Sequence, residues 1–227
     1  MTNTQHPGYQ AIITELKALA SPANVAGMAR FGITSTNTLG ISIPNLRRIA
    51  REAGKDHALA QQLWDSGIHE ARILASLVDD PKSVTERQME AWVSEFDSWD
   101  VCDGVCSNLF AYTPFAWDKA VAWSRRDEEY VRRAGFVLMA RLAVSDKKAP
   151  DEKFLPFFPL IVAGATDERN FVKKAVNWAL RQIGKRNARL CAEATKVGQE
   201  LRKSKSAAAR WVANDALREF TKRAVKE

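Results

Sequence analysis

The stretch DSWDVCDG, residues 97–104, sets Asp97, Asp100 and Asp103 around Trp99 in a chain whose formal net charge is +7. Two chemistries fit such a cluster. One is a solvated helix start, where acidic side chains complement the positive end of the helix dipole. The other is a site for a flat cation, which an indole face attracts by roughly 0.5–2 kcal/mol and a nearby carboxylate attracts further. If Ser98 caps a helix that Trp99 opens, Asp103 lies four residues on and faces the same way as Trp99. Asp100 then points elsewhere and serves as a favourable dipole charge. Gly104 follows directly; because glycine costs a helix about 1 kcal/mol, it is expected to admit a close neighbouring backbone.

The elements that must position these groups are helices. In EYVRRAGFVLMARLAV, Val131, Ala134, Val137, Leu138 and Leu142 recur three and four apart. NFVKKAVNWALRQIGKR repeats that stripe through Val172, Ala175, Val176, Ala179 and Ile183. Start signals stand at Asp97-Ser98, at Ser83 with Glu86, and at Asp127; breakers fall at Pro44, Pro81, Pro114 and Pro150. The one stretch with brief β-branched alternation, FGITSTNTLGISI (31–43), is too rich in Gly, Ser, Thr and Asn for a sheet core. About a dozen short helices and no sheet are expected. NWALRQI (177–183) returns weakly as NDALREF (214–220), and VRRAG (131–135) as VKKAV (172–176), at offsets near 40 residues. That period matches helical repeats of HEAT type, stacked helix pairs whose concave face cradles an extended partner. The fold class expected is all-α, a right-handed superhelical solenoid of HEAT-like helix pairs with a concave face for an extended partner, spanning 1–227 as a single domain.

Composition narrows the partners. Residues 169–227 carry 16 Lys or Arg against 5 Asp or Glu, whereas residues 1–168 carry 18 against 22. A basic final quarter favours a polyanion, DNA or RNA being the commonest. No apolar run approaches membrane-spanning length, and MTNTQHPGYQ has neither a basic start nor an apolar segment of signal-peptide type. Cys102, Cys106 and Cys191 are too few for a disulfide framework. A cytoplasmic protein is expected, with no membrane association.

SWDVCD is similar to the signature of alkylpurine DNA glycosylases of the AlkD type, a HEAT-like repeat family of DNA alkylation repair. GMARF (27–31), LGISIPNLRRIARE (39–52), YVRRAGF (130–136) and VKKAVNWALRQ (172–182) resemble further segments of that family in the same order, so the likeness runs over about 27–185. The resemblance implies a catalytic Asp103 and substrate-binding roles for Trp99, Trp178, Arg133 and Phe31. Phe31 stands where characterised relatives often have Tyr, which removes a hydroxyl and its hydrogen bond. Relatives of this kind excise purines alkylated at N3 or N7 from duplex DNA, and the resemblance implies that the base need not enter a deep protein pocket.

Arg47, Lys174 and Arg181 are further candidates for contacts to the DNA backbone, Lys174 and Arg181 flanking Trp178 at −4 and +3 on one predicted helix. Trp64, Trp92, Trp117, Trp123 and Trp211 sit in helical apolar patterns and are expected in the core. Cys102 and Cys106, four apart without a completing His or Cys pair, read as buried small residues rather than metal ligands. His6, His57 and His69 are scattered, with no evident Ser, Cys or Asp partner. No phosphate-binding glycine loop is present, so no cofactor and no metal are expected, and the protein is expected to act as a monomer without an obligate protein partner. A second class of function remains open: a non-catalytic HEAT-like scaffold binding nucleic acid or a protein. The separating feature is Asp103, because a binder of polyanions gains nothing from a carboxylate on its basic face.

Overall fold

The computed structural model describes residues 6–33 and 36–224. Thr34 and Ser35, in the Gly- and Thr-rich stretch read above as non-sheet, lie outside the described residues. Among the described residues the chain forms thirteen α-helices, joined by short loops and two single 3₁₀ turns, with no strand. The all-helical expectation therefore holds. Two compact units divide the chain, residues 1–113 and 114–227.

Unit 1 contains α1 (Tyr9–Ala18), α2 (Pro22–Ala29), α3 (Ile43–Ala53), α4 (His57–Asp65), α5 (His69–Val78), α6 (Glu86–Ser94) and α7 (Trp99–Asn108). Helix starts follow the chemistry of orphan backbone donors. Asp56 caps α4 by accepting from the Leu59 amide at 2.8 Å, and Thr85 caps α6 by accepting from Gln88 at 3.1 Å. The sequence signal at Ser83 thus falls two residues early; Thr85 offers the same hydroxyl where the backbone is already extended. Helix α5 is the centre of the unit, with eight of its ten residues buried, and packs against α3, α4 and α7. The aromatic core lies beside it: Trp64 stacks on Trp92 at 4.2 Å and 4°, and Phe96 and Phe110 pack around them.

Helix α2 differs from its neighbours. Its sequence PANVAGMA is apolar, yet none of its residues is buried. It is held at its start, where the Ser21 amide donates to the Leu39 carbonyl at 2.8 Å and the Asn24 side chain to the Gly40 carbonyl at 2.9 Å. Gly40 has a φ of 79°, and a Cβ there would overlap the Ser21 carbonyl, so both the backbone conformation and the close approach require glycine.

Unit 2 contains α8 (Ala116–Ser124), α9 (Glu129–Ser145), α10 (Phe157–Gly164), α11 (Asn170–Gly184), α12 (Ala188–Arg202) and α13 (Ala207–Ala224). The pairs α8/α9, α10/α11 and α12/α13 pack consecutively, and α11 lies against both α9 and α13. This explains the repeats in the sequence. VRRAG, VKKAV with NWALRQI, and NDALREF lie on α9, α11 and α13, the second helices of three successive pairs. Glycines set the spacing: Gly135 meets the α8 backbone at Trp123 and Ser124, while Gly164 and Gly184 receive the rings of Phe136 and Phe220.

Candidate active site

Helix α7 turns the DSWDVCDG stretch into a two-faced element. At about 100° per residue, Val101, Cys102, Val105 and Cys106 occupy one half of the helix and are fully buried. Trp99, Asp100, Asp103, Gly104, Ser107 and Asn108 occupy the other half, and all six line a single cavity of about 690 Å³ in unit 1. Opposite α7, the cavity is walled by Gly27, Met28 and Phe31 from α2 and its C-terminal turn. Ile41, Ile43 and Arg47 close it at α3, and His69, Glu70, Ile73 and Leu77 at α5. The structure thus brings together Phe31, Arg47, Trp99 and Asp103, four of the residues picked out by sequence.

Local contacts fix this geometry. The Trp99 indole N–H donates to the Phe31 carbonyl at 3.0 Å, tying the aromatic of α7 to the end of α2. The Phe31 ring stays 70% exposed. Asp103 and Trp99 are half-buried, and Arg47 is exposed at the cavity margin. Ser98 sits at the N-cap with extended backbone angles, but its hydroxyl makes no capping bond. Gly104 also departs from expectation: a Cβ there would make only ordinary contact with Ile73, at 3.8 Å, so no backbone approaches closely.

Glu70 supports the opposite wall. Its side chain is buried, 1% exposed, and accepts from three consecutive backbone amides: Leu39 at 2.8 Å, Gly40 at 2.6 Å and Ile41 at 3.3 Å. A carboxylate so surrounded is satisfied without a cation, and it clamps the loop leading into α3.

Asp100 corrects the sequence reading most sharply. Rather than pointing away from Trp99 and Asp103 as a dipole charge, it lines the same cavity, and its carboxylate lies 2.8 Å from Nε2 of His69, whose side chain is wholly buried. Burial opposes charge on both groups. Their mutual hydrogen bond and attraction outweigh it, lifting the His69 pKa above 6.5 and holding Asp100 below 3.8. The other histidines likewise have aspartate partners: His6 with Asp56 at 2.9 Å and His57 with Asp79 at 2.8 Å. The three pairs join residues 22 to 50 positions apart, so no local spacing announces them.

The remaining predicted residues lie in unit 2. Arg133, on α9, is 5% exposed, and its guanidinium donates to the Phe171 carbonyl at the start of α11. Trp178, half-buried on α11, places its indole N–H 3.0 Å from the Gln182 amide, which receives it when the amide is turned with its oxygen toward the ring. Lys174 is exposed. Arg181 is held by Asp215 at 3.1 Å and by Glu219, both on α13, so its charge is balanced within the unit. Trp64, Trp92 and Trp123 are buried as expected and Trp117 is half-buried. Trp211 is not a core residue: it is 41% exposed, with the Lys173 ammonium 5.3 Å from its ring centroid.

Among the described residues no helix is long and apolar enough to cross a membrane. Comparison with known proteins adds a family. The family model described as DNA alkylation repair enzyme matches residues 12–220. No curated protein matches the chain. One solved structure, from a family of proteins related to the HEAT-like repeat DNA glycosylases with affinity for branched DNA structures, is 18% identical. It covers 93% of this chain and 95% of its own, with a TM-score of 0.77, so the two share a HEAT-like fold. A designed armadillo repeat protein is 16% identical over 77% of this chain and 91% of its own, at a TM-score of only 0.39.

Proposed function

Because the chain belongs to the DNA alkylation repair enzyme family, we propose that it is a glycosylase that hydrolyses the N-glycosidic bond of N3- or N7-alkylated purines in duplex DNA. One observation carries this reading: α7 presents Trp99 and Asp103 from the same face into a largely apolar cavity, in a chain of net charge +7. A carboxylate kept there costs affinity for phosphates unless the ligand is locally positive.

An alkylated purine of this class is already cationic, so it departs with the bonding electron pair and needs no general acid. The sugar left behind is oxocarbenium-like. A carboxylate near the anomeric carbon stabilises that charge and orients the attacking water, taking up its proton as the new C–O bond forms. Asp103 has that role. Ordinary glycosidases need a second carboxyl group as acid because their glycosidic oxygen, unprotonated, would have to leave as an alkoxide. Trp99 packs its ring against the deoxyribose and lesion, and the hydrogen bond from its indole N–H to Phe31 sets the ring's orientation. Arg47 meets backbone phosphate. In unit 2 the family pattern assigns further DNA contacts to Trp178 and Arg133, and helix spacing assigns one to the exposed Lys174; Arg181, already balanced by Asp215 and Glu219, is not among them.

The test is release of 7-methylguanine from methylated duplex DNA, followed by chromatography of the freed bases. The wild-type protein releases the base, and Asp103→Asn lowers the rate by about 100-fold or more, the scale of a lost electrostatic and general-base contribution. DNA binding stays largely intact. Wild-type protein that binds DNA and frees no base would favour the non-catalytic alternative. Full activity in the variant would remove Asp103 from the mechanism.

A further inference from the structure

Besides Asp103, the cavity holds two further carboxylates, Asp100 and Glu70. Asp100 and Asp103, three apart on α7, both line it, so two acidic groups stand within one helical turn. Most of the wall near them is apolar: Met28, Ile33, Ile41, Ile73 and Leu77. An ionised group in such a wall is costly unless paired, and Asp100 is paired, with His69 at 2.8 Å. The pair also has a direction. Both residues line the cavity, but the His69 side chain is 0% exposed whereas that of Asp100 is 18% exposed, so Asp100 is the member of the pair more open to it. Asp100 Oδ1 is itself shielded from solvent, so the pair acts on a ligand in the cavity through its charge rather than by accepting a hydrogen bond.

We propose that Asp100, backed by His69, is the group that selects a positively charged ligand in this cavity, with a role in binding distinct from the chemical role of Asp103. The ligand class is a cationic sugar or base of a DNA lesion, and in that respect the inference rests on the reading that the cavity receives the lesion. His69 is a positioning residue: it acts through Asp100. The charged groups around the pair are Asp97 ahead of α7, Asp103 on α7, Glu70 on α5 and Arg47 on α3. Glu70 is already spent on three amides, and Arg47 is exposed at the margin. Asp100 is therefore the carboxylate whose strength a neighbouring proton controls. With His69 protonated, the pair is a dipole with its negative end toward the cavity. As pH rises through the lifted pKa of His69, the balancing charge is lost and the pull on a cation increases.

The experiment compares two abasic-site mimics in otherwise identical duplexes: a pyrrolidine whose ring nitrogen is protonated, and a neutral tetrahydrofuran. Binding of the full chain is followed by fluorescence anisotropy at about pH 6 and about pH 8, either side of the ordinary histidine range. Wild-type protein prefers the cationic mimic, and the preference grows with pH. Asp100→Asn reduces the preference by about 10-fold, the effect of one carboxylate near 6 Å at an effective dielectric between protein and water. His69→Gln, which leaves Asp100 in place and so covers a poorly folding Asp100 variant, abolishes the growth with pH.

An unchanged preference in Asp100→Asn overturns the proposal, as does equal weakening toward both mimics or failure of the wild-type protein to distinguish them. The outcome is separable from that of the glycosylase reading. An Asp100-dependent preference without release of 7-methylguanine upholds this assignment and refutes the activity. Base release without that preference does the reverse.

Discussion

Glu70→Gln isolates what holds the far wall of the cavity. In the wild-type protein Oε1 accepts from the amides of Gly40 and Ile41, and Oε2 accepts from Leu39 at 2.8 Å. Glutamine keeps one carbonyl oxygen for the first two, but must aim its own N–H group at the Leu39 N–H. One charge-assisted bond is lost and a buried donor is left facing another donor. Such a loss costs about 1.5–3 kcal/mol, and relief of a buried charge offsets part of it, so a net of about 2 kcal/mol is expected. For a chain of this size that lowers Tm by roughly 4–8 °C, read by circular dichroism during heating. Because Gly40 and Ile41 line the cavity and Gly40 also seats the Asn24 side chain, release of 7-methylguanine should fall more than the lost stability explains. A Tm within about 1 °C of wild type, with normal base release, would mean that the three amides are satisfied without the carboxylate and that the loop holds itself.

Two further outcomes follow from the same geometry. Arg47→Ala should weaken DNA binding evenly across sequences and reduce the slope of log affinity against log salt by about 1, measured by titration at several salt concentrations; an unchanged slope would show that Arg47 meets no phosphate. The His69–Asp100 pair should stabilise the fold most between the acid range of Asp100 and the lifted pKa of His69. Asp100, held below 3.8, loses its contribution as pH falls through its native pKa; His69, held above 6.5, contributes fully below 6.5 and loses its contribution as pH rises through its native value. The stability difference between wild type and His69→Gln, from denaturant unfolding at about pH 5 and about pH 8, should therefore be larger at the lower pH. Equal differences at both would remove the charge from the pair.

Much of the site was legible because its signals are local. The four-residue spacing of Trp99 and Asp103 places them on one face of any helix, and α7 forms where Asp97-Ser98 announces it. The placement of Phe31 and Arg47 came from motif order, and both line the same cavity as Trp99 and Asp103. Asp100 and Trp211 were misread for a shared reason. Each lies in a pattern that local periodicity assigns to an ordinary role, dipole charge or core, while its true surroundings come from other helices: His69 on α5 for Asp100, and Lys173 on α11 for Trp211. Gly104 was misread because glycine marks either a close approach or simply open space, and only the neighbours tell which.

By itself, the amino-acid sequence determined the helices, the repeat on α9, α11 and α13, the family, and the face of α7 that carries the indole and the carboxylate. All of these rest on interactions within a few residues or on words the chain spells consecutively. Tertiary structure decided the rest: that α2 covers a cavity instead of joining the core, that Glu70 clamps the 39–41 loop, and that each described histidine finds an aspartate. Those partners are separated by 22 to 50 residues, and in a buried pair the energy of desolvation is offset only when both groups arrive together. No period or spacing encodes that meeting; for His69 and Asp100 the packing of α5 against α7 does.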